Sequence, residues 1–256
     1  MTGPSESTPT DGGRRVAFVT GGAGGIGSEV CRQLAAAGHT VAVADLSREA
    51  AEKVAAEFDG IGVALDVTDP DSVAAAVAEV TAKLGAPAAV VNVAGWDELK
   101  PFLETDEDFT RKVLEINLNG PIRVLRATLP AMVEARYGRV VNVASDAGRV
   151  GSSLESVYSG AKAGVIGFTK TVAREFAKHG ISANTVCPGP TDTPLLRSIT
   201  AGERSAGIIE AMTKAVPMRR MGTPADVAPA IVFLASEQAG YITGQTLSAS
   251  GGLTMS

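Results

Sequence analysis

At 256 residues, 45% of them apolar and 20% charged, the chain has hydrocarbon enough for a large core and lies far from the composition of disordered segments. Its 23 basic and 28 acidic side chains give a net charge of −5 with no long basic run, which argues against nucleic acid as a partner. Two cysteines (Cys31, Cys187) and two histidines (His39, His179) make no zinc centre without several carboxylates, so no metal is expected and the thiols read as those of a reducing cytosol.

Residues 1–13 are polar and rich in Pro, Gly, Ser and Thr, and read as a mobile tail ahead of one domain spanning 14–256. They lack the apolar stretch of a secretory signal, and no run of about 18 apolar residues follows. The expectation is a cytoplasmic protein with no membrane association.

In chain order, seven short β-branched runs stand out: 16–20, 40–44, 61–65, 88–93, 139–144, 181–186 and 245–249. Most are apolar on both faces, as strands covered by helices on two sides must be. Between them, helical periodicity predicts helices over 25–38, 47–58, 70–84, 106–136, 157–179 and 224–236, with a further piece around 199–214. Asp69-Pro70-Asp71 and Thr223-Pro224-Ala225-Asp226 set a capping side chain before proline and an acid in the first turn, which marks helix starts. The alternation is that of β-α units building a parallel α/β sheet.

The first strand runs into Thr20-Gly21-Gly22-Ala23-Gly24-Gly25-Ile26-Gly27 and then a helix. Glycines let backbone turn tightly and approach an anion without Cβ atoms in the way, while free helix N–H groups face it, so the segment reads as a phosphate cradle. Asp45, with Leu46 beside it, closes the second strand eighteen residues past Gly27 and can accept hydrogen bonds from ribose hydroxyls. A 2′-phosphate would meet like charge there, which favours NAD over NADP; Arg48 is the nearby dissenting residue. Asp66-Val67 and Asn92-Val93-Ala94-Gly95 close the third and fourth strands at the carboxyl edge, either as adenosine contacts or as turn chemistry.

Tyr158 and Lys162 lie four residues apart at a helix start, hence on one face. An ammonium beside a phenol favours phenolate, lowering a pKa that is about 10 in the free side chain. Ser145 follows the fifth strand, thirteen residues before Tyr158, where its hydroxyl can orient an oxygen. Asn117, in a helical stretch with a nearby Gly-Pro, points to a helix distortion that can seat a relay water.

The ordered set Gly21-Gly25-Gly27, Asp66, Asn92-Val93-Ala94-Gly95, Asn117, Ser145, Tyr158, Lys162 and Pro188-Gly189 resembles the short-chain dehydrogenase/reductase family over 14–256. The resemblance implies a Rossmann-type, doubly wound sheet of seven parallel strands with helices on both faces, an NAD(P) cofactor, and a homotetramer or homodimer. It makes Tyr158 the acid/base, Lys162 its pKa-lowering neighbour and ribose anchor, Ser145 the substrate orienter and Asn117 the relay residue. Pro188, Gly189 and Thr191 then face the nicotinamide, and Thr193 reaches the pyrophosphate. Val93 departs from the family's usual second Asn.

Stretches 94–102, 144–153 and 187–194 are further similar to 2-hydroxycyclohexanecarboxyl-CoA dehydrogenases, which implies an acyl-CoA substrate. Trp96 either covers a substrate ring or packs on its own loop; Arg149 either pairs a substrate anion or forms a structural salt bridge. Residues 190–221, with Arg197, Lys214, Arg219 and Arg220, read as a flap whose basic groups meet CoA phosphates. Two readings compete: an NADPH-dependent 3-oxoacyl-thioester reductase, and a non-catalytic NAD-binding sensor or scaffold.

Overall fold

Seven segments pair in register to give one all-parallel sheet in the order β3-β2-β1-β4-β5-β6-β7. The computed structural model describes residues 14–200 and 205–255. The strands are β1 Val16–Thr20, β2 Thr40–Asp45, β3 Ile61–Ala64, β4 Ala89–Asn92, β5 Gly138–Val143, β6 Ile181–Pro188 and β7 Thr246–Ala249. Strands β1, β4, β5 and β6 are buried along their whole length, while the edge strands β3 and β7 are partly covered.

The helices are α1 Gly25–Ala36, α2 Arg48–Ala55, α3 Pro70–Leu84, α4 Glu107–Leu114, α5 Gly120–Ala135, α6 Ala147–Val150, α7 Ser156–Phe176, α8 Pro194–Ile199, α9 Ser205–Ala215 and α10 Pro224–Leu234. Period-two alternation splits the core. Ala17, Val19, Val41, Val43 and Val141 meet Val30 and Leu34 of α1 and Ile231 of α10. Val16, Phe18, Val63 and Val140 meet Val80 of α3, Leu125 of α5 and Val172 of α7. Each of the Val, Leu, Ile and Phe side chains among them, fully removed from water, contributes about 1.5–3 kcal/mol. The resulting layers are the expected Rossmann-type doubly wound α/β fold.

The cap signals act as predicted. Asp69 accepts a hydrogen bond from the backbone N–H of Asp71 at 3.0 Å, opening α3, and Asp226 accepts one from that of Thr223 at 2.8 Å, opening α10. The helix expected over 106–136 is divided instead: a π-helical segment, Glu115–Asn119, separates α4 from α5. The piece expected around 199–214 is two helices, α8 and α9, because Thr193-Pro194 starts a helix earlier than periodicity indicated. The tail predicted over 1–13 lies outside the described residues.

One polar chain crosses the interior. Asn92 of β4 stands opposite Asn142 of β5 and donates to its Oδ1 at 2.8 Å; Asn142 in turn donates to Thr169 of α7 at 2.8 Å. It ties the helix that carries Tyr158 and Lys162 to the middle of the sheet.

Candidate active site

The sheet order reverses between β1 and β4, and at such a switch point two crossovers leave in opposite directions and open a crevice at the carboxyl edge. Gly21 lines it with φ of +62°, and a Cβ on Gly21 would stand 2.8 Å from the backbone of Ala94, so only glycine permits this approach of the two loops. Gly24 caps α1 without a side chain, leaving the helix N-terminus open.

A cavity of about 680 Å³ is lined by Gly21, Gly24, Gly25, Ile26, Gly27, Asp45, Leu46, Asp66, Val67, Ala94, Gly95 and Thr193. Its walls are the glycine turn, a helix N-terminus and a carboxylate at a strand end, which is the donor set that a dinucleotide needs. Asp45 Oδ2 accepts a hydrogen bond from the Ala23 N–H at 3.0 Å, so the carboxylate is held against the turn. Arg48 points elsewhere: its guanidinium makes two hydrogen bonds to Glu79, at 2.7 and 3.1 Å.

A second cavity of about 330 Å³ shares Ile26, Val93, Gly95, Thr193 and Leu195 with the first and is lined by Ser145, Tyr158, Lys162, Pro188, Gly189 and Thr191. The Ser145 hydroxyl donates to the Tyr158 phenol oxygen, a contact that lowers the phenol pKa. Lys162 Nζ lies 5.5 Å from the Tyr158 ring centroid and donates to the Val143 carbonyl at 3.1 Å. It is 3% exposed, and burial pushes its pKa down to about 8. Asn117 lies in the π-helical segment, fully buried, donating to the carbonyls of Trp96 at 2.7 Å and Val113 at 3.0 Å. A Cβ at Gly95 would sit 3.0 Å from Asn117 Oδ1 and 3.5 Å from Lys162 Nζ, which puts both groups behind the same loop. The distortion expected at Asn117 is therefore present, with the amide turned to the strand β4 loop.

Four expectations change. The Tyr158 phenol is not acidified by Lys162 in the protein alone: burial raises its pKa, and Glu155 and Asp97 raise it further, against a lowering by Ser145. Asn92 does not line the coenzyme cavity but is spent on Asn142 inside the sheet. The Trp96 ring meets Phe109 edge-on at 5.8 Å and lies 3.6 Å from Lys112 Nζ; it borders the larger cavity rather than the one holding Tyr158. Arg149 donates to Ser248 Oγ at 2.7 Å and is not among the residues lining either cavity.

Three carboxyl groups that the sequence did not single out, Asp97, Asp146 and Glu155, line the smaller cavity with Tyr158. Asp97 sits three residues past Ala94 at the carboxyl edge and Glu155 three before Tyr158, and that placement was the available signal. Cys187, also buried nearby, is pushed up to about 11 by burial and stays a neutral thiol.

Comparison with known proteins bears on this geometry. A family model described as enoyl-(acyl carrier protein) reductase matches residues 21–254. A 3-oxoacyl-(acyl-carrier-protein) reductase of Vibrio cholerae is 37% identical over 94% of this chain and 98% of its own. A 2-dehydro-3-deoxy-L-rhamnonate dehydrogenase (NAD(+)) of a Sphingomonas species is 39% identical over 94% and 95%. A solved structure from Brucella melitensis 16M, described as a ribose-5-phosphate isomerase, superposes with a TM-score of 0.87 at 36% identity, covering 94% of this chain and 92% of that one. With a nicotinamide-binding fold, a fitting cradle and relatives matched nearly end to end, the chain belongs to the short-chain dehydrogenase/reductase family of oxidoreductases acting on CH–OH groups.

Proposed function

We propose that the protein interconverts a secondary alcohol and a ketone with NAD(H), using Tyr158, Lys162, Ser145 and Asn117. The observation that carries this reading is the meeting of Ser145, Tyr158 and Lys162 on one cavity that opens into the cavity holding Asp45. In the oxidation direction Tyr158 takes the hydroxyl proton as the carbinol carbon loses its hydride, and Ser145 holds the substrate oxygen against the phenol. A bound oxidised nicotinamide supplies the hydride acceptor and a positive charge beside the phenol. Lys162 adds a buried ammonium, and Asn117 fixes the loop that carries Gly95. In the reverse direction the neutral phenol that burial favours is already the acid that ketone reduction requires. A sensor without chemistry would have no need of all four groups.

Coenzyme choice rests on Asp45, which faces the cavity while Arg48 is engaged by Glu79. NAD+ is expected to support turnover far better than NADP+. Asp45→Asn keeps an acceptor for the Ala23 N–H but removes the charge, and raises kcat/KM with NADP+ by about tenfold or more, a difference of about 1.4 kcal/mol. Equal initial rates with both coenzymes in the unaltered protein would refute the assignment.

For the substrate, a cyclic 2-hydroxyacyl-CoA is the finer reading, drawn from the stretches around Trp96, Ser145 and Cys187. The competing reading, 3-oxoacyl-thioester reduction, has its support in the Vibrio cholerae relative and in an acetoacetyl-CoA reductase of Allochromatium vinosum, 37% identical. Both place a thioester carbonyl one carbon removed from the reacting carbon. Arg197 pairs with Asp192 at 2.8 Å and Arg220 with Asp226, while Arg219 donates to the Lys214 carbonyl; phosphate binding by this segment would have to compete with those contacts. In this reading the enzyme works in the cytoplasm as a homotetramer or homodimer.

A further inference from the structure

Asp97 is 4% exposed, and the groups beside its carboxyl are the Glu155 carboxyl and the Glu98 backbone N–H, with no side-chain N–H or O–H donating to it among the described residues. Burying an unpaired ion costs far more than burying a neutral acid. Glu155 faces it from the start of α7, and both line the cavity of Tyr158 and Lys162. Two ionised carboxylates cannot bond to each other; with one proton between them, one donates and the other accepts. The remaining charged neighbour of Asp97 is Lys162, so the singly protonated pair and the ammonium together carry no net charge. Burial and Glu155 push Asp97 up to about 8, which agrees with a shared proton at neutral pH.

We infer that Asp97 and Glu155 form the recognition site for an uncharged carbonyl oxygen on a carbon one removed from the reacting carbon, selecting a hydroxyacyl thioester and rejecting the free hydroxy acid. The inference rests on the proposed alcohol oxidation at Tyr158. When a thioester binds, the proton turns from the partner carboxylate to the carbonyl oxygen, which carries no charge to be repelled. A free carboxylate in the same place would bring a second negative charge against the pair. Nothing basic other than Lys162 lines the cavity to offset it among the described residues. Asp146 lines it as well and adds to the rejection.

The test compares 3-hydroxybutyryl-CoA and 2-hydroxycyclohexanecarboxyl-CoA with their free acids and with cyclohexanol, in the unaltered protein and in Asp97→Asn, Asp97→Ala and Glu155→Gln, at pH 6 to 9.5. The unaltered protein is expected to prefer thioester to acid by at least a hundredfold in kcat/KM. Its KM for thioester should rise above about pH 8, where the shared proton leaves. Asp97→Asn supplies a neutral donor at every pH, so its KM stays flat, while Glu155 keeps the pair's single negative charge and the preference over acid is retained; Glu155→Gln leaves one buried acid that stays neutral, and the preference shrinks at least tenfold. Asp97→Ala raises KM for thioester at least tenfold with kcat little changed, and unaltered NADH binding and melting temperature report that it is folded. A KM rise of equal size in Asp97→Asn assigns the titration to Lys162 and overturns the inference, as does equal use of thioester and acid by the unaltered protein, or turnover of cyclohexanol alone. If no alcohol is oxidised, or if Tyr158→Phe stays active, it is the underlying alcohol-oxidation reading that fails.

Discussion

In the Tyr158→Phe protein, turnover falls by about a thousandfold or more while NADH binds as before. The substitution removes one oxygen, leaving the ring that packs beside Lys162. A positioned acid/base contributes about 10²–10⁴ in rate; of the groups nearby, Cys187 is a buried neutral thiol, Ser145 is a far weaker acid, and the proton of the Asp97–Glu155 pair is assigned to the neighbouring carbonyl rather than to the reacting oxygen. In the proposed reading coenzyme affinity is set mainly in the larger cavity, which Tyr158 does not line. Stopped-flow hydride transfer alongside NADH fluorescence titration separates the two effects. Retained turnover would remove Tyr158 from the chemistry, and joint loss of binding and turnover would mean the change had collapsed the site.

Gly27→Ala is the largest stability effect expected. A Cβ at Gly27 would lie 2.0 Å from the Gly21 carbonyl oxygen and 2.9 Å from Gly22 Cα, both backbone atoms of the turn. Side chains can rotate away from such a clash, but here α1 itself must move off the sheet. Overpacking typically costs about 1–3 kcal/mol, and a backbone clash belongs at or above the upper end. Denaturant unfolding should show a loss of about 3 kcal/mol or more together with weakened NADH binding, because the turn forms the wall of the coenzyme cavity. A variant of native stability would mean that the turn relaxes freely.

The parts of the fold legible in the sequence were those with local causes. β1 is where its β-branched run placed it, and α3 begins at Pro70 because Asp69 caps it. Parallel strands buried on both faces announce themselves as unbroken apolar runs, as β1, β4 and β5 do. The division of 106–136 was half legible: Asn117 signalled a distortion, but an extra residue in one turn leaves helical periodicity nearly intact. The four residues of α6 were too few to show any period.

In the site, Tyr158 and Lys162 share a helix face by spacing alone, so their meeting could be foreseen. Side chains whose direction depends on distant partners could not. Arg149 turns to Ser248, ninety-nine residues on, and Asn92 to Asn142, fifty on; neither partner is marked in the local sequence. Asp97 and Glu155 look like solvated loop acids until the fold buries one of them against the other.

The Asn92–Asn142–Thr169 chain has a consequence for how the sheet assembles. A slip of one residue between β4 and β5 would set Asn92 opposite Val141 or Val143 and strand two amides in hydrocarbon. Valine-rich parallel strands are otherwise nearly interchangeable along their length, so these amides proofread strand alignment, penalising misaligned intermediates before the catalytic helix can dock.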